Sequence, residues 1–228
     1  HSPLPTFFQR RIPGTPAAAI FIAADGIASL LGLTRQLIGE AWLGAHGFQY
    51  AGSIGPLPIS EPALAIVKVI GNTLADRFEL VGLFGVDFIL NGDEVWTLEV
   101  NPRYTASVEI IERITGIHSI AAHSAACTGS PPTASRIVLD PDRYHGKATL
   151  FARHEITITP AFAEWSLAEA TCTPWPTLAD VSLVGTHIEA GRPLLTLFAE
   201  AATPDKVEQQ LRQRVAEIEL KLYAAREP

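Results

Sequence analysis

The stretch Gly85-Val86-Asp87-Phe88-Ile89-Leu90-Asn91-Gly92-Asp93-Glu94-Val95-Trp96-Thr97-Leu98-Glu99-Val100-Asn101-Pro102-Arg103 decides how this chain folds. Residues 80–90 are largely apolar, Asn91-Gly92-Asp93 is a tight-turn signal, and residues 94–100 read as the antiparallel return strand. Side chains alternate along a strand, so Val86 and Phe88 take one face and Asp87 the other, while Glu99 and Asn101 share a face. Counting back from the turn puts Asp87 within a residue or two of the position opposite Glu99. Two carboxylates and an amide oxygen then converge, with Arg103 two residues farther along.

Such a group is hard, anionic and built from oxygen alone, which suits Mg²⁺ when water and phosphate oxygens complete its octahedron. Two carboxylates side by side on an otherwise apolar sheet repel unless a cation lies between them. The Arg103 guanidinium can grip a phosphoryl oxygen or a carboxylate bidentately. Taken singly, Asp87 reads equally well as a strand-end acid satisfied by backbone amides, and Glu99 as an exposed strand charge. Asn101 and Arg103 at matching spacing tip the reading toward a site.

Outward from this hairpin the elements follow from local signals. Residues 7–12 suit a short strand closed by Pro13-Gly14, and residues 17–24 an apolar strand. Asp25-Gly26 turns into another strand over 27–37, and residues 48–54 make a fourth. Ser60 caps a helix with Glu61 and Pro62 in its first turn, and Leu64, Val67, Ile70, Ala75 and Phe78 recur at helical spacing to an end near Arg77. Asn101-Pro102-Arg103 breaks the return strand, Ser107 caps a helix through Ile114, and residues 118–127 form a second. The Gly, Ser and Pro cluster at 128–133 marks a boundary, dividing the chain into 1–130 and 131–228. Beyond it come strands at 147–151, 155–158 and 194–198. A closing helix follows, with Thr203 as cap, Pro204 in its first turn, and Val207, Leu211, Val215, Ile218 and Leu222 on one face. The fold class is α+β, and no internal repeat is present.

At 228 residues and 47% hydrophobic the chain can bury a real core. Its net charge of −7 with only 18% charged residues leaves no basic face for a nucleic-acid backbone. The apolar runs are too short for a membrane span, and no signal peptide is visible. Cys127 and Cys172 lack metal-ligand spacing and read as buried thiols of a reducing, cytoplasmic compartment. His118 and His123 lie five apart and read as structural. The chain begins at His1 and contains no Met, so the true N-terminus is expected upstream.

The acid-Phe, short turn, Glu-x-Asn-x-Arg pattern resembles the metal-binding signature of ATP-grasp enzymes, a superfamily that includes biotin carboxylase, D-alanine:D-alanine ligase and carbamoyl phosphate synthetase. The resemblance implies ATP with Mg²⁺ (or Mn²⁺) as cofactors. Asp87 and Glu99 match the bridging carboxylates, Asn101 the amide ligand, and Arg103 the catalytic arginine that holds the phosphoryl or acyl intermediate. Gln9, Arg10, Arg11 and Ile12, followed by Gly14, resemble the hinge that binds adenine, and Leu98 falls with the nucleotide-binding positions. Arg35 stands where many members place a basic residue near the transferred phosphate. For the hinge residues and Arg35, a solvated strand face is the plain alternative.

By the same resemblance, residues 1–130 are an ATP-grasp C-terminal subdomain, an antiparallel sheet with flanking helices, and 131–228 a small β-rich module. The Gly185-x(5)-Gly191 spacing is similar to biotinyl and lipoyl domains, but no Lys stands at its tip, so a swinging-arm carrier is rejected. The implied activity is ATP-dependent ligation of a small-molecule carboxylate to an amine. The family's Gly-rich loop and phosphate-binding Lys are absent before Phe7, so an N-terminal half is expected as partner, and a homodimer is left open. Carboxylate–amine ligases of the tyramine–glutamate type, a biotin-carboxylase relative, and a non-catalytic nucleotide-binding or assembly module stand as alternatives.

Overall fold

The structure, a computed structural model, describes residues 8–129, 143–173 and 175–223. Its first hairpin joins β1 (Thr15–Ala24) to β2 (Ile27–Ile38). Asp25 and Gly26 both take positive φ, 51° and 73°, as a two-residue turn matched to strand twist requires. Next come β3 (Tyr50–Gly55) and α1 (Glu61–Arg77), whose Ser60 side chain accepts from the Ala63 amide. The hairpin of β4 (Gly82–Asn91) and β5 (Glu94–Asn101) follows, then α2 (Val108–Thr115) and α3 (Ser119–Cys127). The remainder is β6 (Tyr144–Phe151), β7 (Ile156–Thr157), α4 (Pro160–Ala170), β8 (Leu178–Ala179), β9 (His187–Ile188), β10 (Pro193–Ala201) and α5 (Pro204–Tyr223).

Eight strands form one antiparallel sheet in the order β5-β4-β1-β2-β3-β6-β10-β8. With helices on both faces, the molecule is α+β. One face carries Ala17, Ala19, Phe21, Phe84, Val86 and Phe88 against α1. Gly71 lets that helix approach closely, since a Cβ there would meet the Phe21 ring at 2.4 Å. The other face carries Ile20, Ile22, Leu31 and Leu83 against α2 and α3. A third cluster joins β3, β6 and β10 to α5, and all five apolar positions read on the closing helix are buried there.

Several expectations change. Residues 8–13 form no strand, and Phe7 lies outside the described residues. Pairing of β1 with β4 begins at Thr15, opposite Leu90, beyond Pro13, which has no amide hydrogen to give a ladder. Helix α4 was not foreseen, although Thr159-Pro160 caps it as Thr203-Pro204 does α5; its apolar residues show no helical stripe. Cys127 and Cys172 are exposed, not buried. The expected boundary runs from Thr128 and Gly129 into undescribed residues, and strands from either side of it, β3 and β6, pair directly. Among the described residues no helix is long and apolar enough to cross a membrane.

Candidate functional site

Pairing of β4 with β5 runs back from the turn as Asn91 with Glu94, Leu90 with Val95, Ile89 with Trp96 and Phe88 with Thr97. Continued unbroken, it would set Asp87 opposite Leu98. Instead the register shifts by one residue and Asp87 pairs with Glu99. A bulge of this kind re-aims side chains, and here it brings two carboxylates to directly opposed positions on one face. Gly85 opposes Asn101, and its missing side chain leaves room against which Thr105 packs.

Asn101 Nδ2 donates to Glu99 Oε1 at 3.0 Å and to Asp87 Oδ2 at 3.3 Å, and Arg103 donates to Asn101 Oδ1 at 2.9 Å. Gln36 on β2 donates to Asp87 Oδ1 at 3.0 Å, passing over β1 beside Pro16 and Ala18, the small residues of this face at that end of the strand. Burial, with Glu99 adding to it, pushes the Asp87 carboxyl up to about 6. Hydrogen bonds from Asn101 and from Asp87 hold Glu99 below the usual carboxylate range. The pair therefore keeps one proton, on the more buried Asp87, until the pH passes about 6.

These groups open into a cavity of about 360 Å³. Its floor holds a hydroxyl chain in which Tyr50 meets Ser53 at 2.9 Å and Ser53 meets Ser107 at 3.0 Å. Burial pushes the Tyr50 phenol up to about 12, so it stays protonated. Ser107 occupies the N-cap of α2 with helical backbone angles and makes no cap bond; its hydroxyl meets Ser53 instead. Glu109 anchors that helix from behind, at 2.9 Å from Lys147 and 3.4 Å from Arg113. Thr105 lines the cavity, and its Oγ1 is buried with no hydrogen-bonding partner in the protein.

The donor set fits a hard divalent cation. Two carboxylates converge, and the positive end of the Asn101 amide already lies between them. Among the described residues no three His, Cys, Asp or Glu gather as a metal cluster. The candidate set is two acids and an amide.

Asp87, Glu99, Asn101 and Arg103 are thus brought together. Gln9, Arg10 and Arg11 are exposed and Ile12 is half-buried, all outside the cavity lining. Arg10 lies 5.8 Å from the Trp96 ring centroid, which places this segment along β5. Leu98, the bulged residue of that edge strand, is 50% exposed. Arg35 is not at the site. It pairs with Ala17 and Ile54 on the opposite face and meets Glu208 of α5 at 2.6 Å. Its neighbour Gln36 has the parity that reaches Asp87, a signal present in strand alternation. Tyr50, Ser53, Ser107 and Thr105 were not foreseen.

Residues 2–107 match the ATP-grasp domain family. The chain is 34% identical over 93 residues to the carbamoyl phosphate synthase large chain, C-terminal section, of Aquifex aeolicus, covering 41% of this chain and 17% of that protein. It is 37% identical over 84 residues to the formate-dependent phosphoribosylglycinamide formyltransferase of Stenotrophomonas maltophilia, 36% of this chain and 21% of that one. In fold it matches the L-amino acid ligase from Bacillus licheniformis with a TM-score of 0.68 at 15% identity, over 91% of this chain and 51% of that one. It spans from about a sixth to about half of these relatives. The segment that holds the carboxylate pair, residues 2–107, is thus matched by the ATP-grasp family and by sequence relatives of the same superfamily, and the fold around it is shared with the L-amino acid ligase.

Proposed function

We propose that this chain carries the metal-binding half of the active site of an ATP-dependent carboxylate–amine ligase. The observation that carries the reading is the opposition of Asp87 and Glu99, with Asn101 between them and Arg103 beside it. Asp87, Glu99 and Asn101 would hold Mg²⁺ or Mn²⁺, which when bound neutralises charge on the nucleotide phosphates.

A substrate carboxylate oxygen attacks the γ-phosphorus of ATP, the bond to ADP breaks, and an acyl phosphate remains. An amine then attacks the acyl carbon, phosphate leaves, and the nitrogen loses a proton. Arg103, steadied by Asn101 and the Tyr104 carbonyl, holds the carboxylate and then the acyl phosphate. Gln36 keeps Asp87 aimed. No protein nucleophile is needed, so positioning and electrostatics supply the catalysis.

On the β5 side, residues Gln9 to Ile12 and Leu98 take the nucleotide base. The test is Glu99→Ala in the full-length protein that contains this chain. Mg-dependent ADP formation should fall by at least about a hundredfold, as for loss of a principal electrostatic group. Undiminished ADP formation refutes the assignment.

A further inference from the structure

The cavity is chemically lopsided. Its charged lining side chains, Asp87, Glu99 and Arg103, all come from β4, β5 and the turn after them. On the opposite side, from β2, β3 and the loop between them, Gln36 is turned onto Asp87, and beyond it stand Ile38, Phe48 and the ring of Tyr50.

Phe48 is 92% exposed, yet its loop is held in place. Gly39 donates to Gln49 O at 2.8 Å, Gln49 donates back to His46 O at 3.1 Å, and a Cβ on Gly39 would meet Gly47 O at 2.3 Å. The bare ring is therefore a feature of a fixed loop, not of a wandering one. Tyr50 is also fixed, through its hydroxyl on Ser53. An apolar wall left open to water beside a polar cluster is what a ligand's apolar part covers.

Strand order says which ligand. Adjacent strands lie about 4.8 Å apart. Arg10 of the hinge segment meets Trp96 of β5, and the carboxylates stand on β5 and β4. The β2–β3 loop lies three to four strands from that edge, roughly 14–19 Å by the same spacing. A nucleotide with its base at β5 and its phosphates over the carboxylates leaves the far side for the second reactant.

Resting on the ligase reading above, we propose that Ile38, Phe48 and Tyr50 seat the body of the carboxylate substrate, so that the substrate is a small monocarboxylate with an apolar side chain, its carboxylate at Arg103. Phe48 is the specificity-determining contact, because its ring is the one left bare. A second anionic group on the substrate would be driven against this wall without a partner.

The test uses the full-length protein, MgATP and carboxylates of matched size: isovalerate and leucine against glutarate, glutamate and a phosphorylated acid. ADP release should show kcat/KM at least about tenfold higher for the apolar acids. Phe48→Ala should raise the KM of leucine or isovalerate about tenfold, the scale of losing part of an aromatic contact, with a smaller change in kcat. Calorimetric titration of the same acids without nucleotide should show the same loss of affinity. Phe48→Lys should shift preference toward the dicarboxylates. Phe48 supports no core contact, and thermal unfolding of each variant checks folding. Preference for a charged acid, or a Phe48→Ala defect falling on the KM of ATP, overturns the proposal and leaves the ligase reading standing. No ADP release with any acid overturns both.

Discussion

The two faces of the sheet between β4 and β3 are built from the same strands and do opposite work. One face carries Ala17, Ala19, Phe21, Phe84, Val86 and Phe88 under α1, with Phe21 and Phe84 stacked at 5.0 Å between ring centroids. The other places Asp87, Gln36, Tyr50 and Ser107 around an open cavity. Period-two alternation lets neighbours in sequence serve both: Phe88 is buried in the core while Asp87 is raised to about 6 in the site. The α1 face is core along this whole span, whereas the other face, beside its own core of Ile20, Ile22, Leu31 and Leu83, also holds like charges together at a cost to the metal-free fold.

That contrast can be broken or sharpened by substitution. The largest effect belongs to the apolar face. Phe84→Ala should destabilise by about 3–5 kcal/mol in denaturant titration, since Phe84 is 1% exposed and stacked on Phe21. A loss below about 1 kcal/mol would mean that this face is not the main source of stability.

Asp87→Asn should act the other way. The folded carboxyl titrates at about 6 against an ordinary 3.8, so the native state binds the extra proton between those values. Stability of the metal-free protein therefore falls as pH rises through that window and stays lowered above it. Removing the charge should raise stability at pH 8 by on the order of 1 kcal/mol, after discounting for solvent screening, and change little at pH 3. Thermal melts at the two pH values decide it, and a destabilised variant at pH 8 would show that Asp87 is not under strain.

The smallest effect is expected at Arg35→Ala. Its partner Glu208 lies on the face away from the cavity, both side chains are partly exposed, and the pair should contribute no more than about 1 kcal/mol. ADP formation by the full-length variant should stay within about twofold of wild type, in contrast to the Glu99 variant. A hundredfold loss would return Arg35 to the site and require a different register for β2.

The site was legible in part. Asp87, Glu99, Asn101 and Arg103 stand within one hairpin, whose turn chemistry and alternation are written in adjacent residues. Gln36, though it has the right parity, stands 51 residues from Asp87, and nothing local says that small residues on an intervening strand let it reach. The hinge strand was misjudged because its apolar and polar run is consistent with pairing, while Pro13 and the limits of β4 deny it a partner. Helix α4 lacked an apolar stripe, so its Thr-Pro cap went unused as a signal.

From its own residues the chain specifies turns, caps and the faces of single strands, because these depend on interactions a few positions apart. The α1 and α5 caps, the Asp25-Gly26 and Asn91-Gly92 turns, and the gathering of acids on one hairpin belong to that class. Which way Arg35 points relative to Asp87, the bulge that moves Glu99 rather than Leu98 opposite Asp87, and the apolar wall beyond Gln36 depend on register and order among strands far apart in sequence. A shift of one residue reverses every side chain, so those features exist only once the whole sheet is assembled.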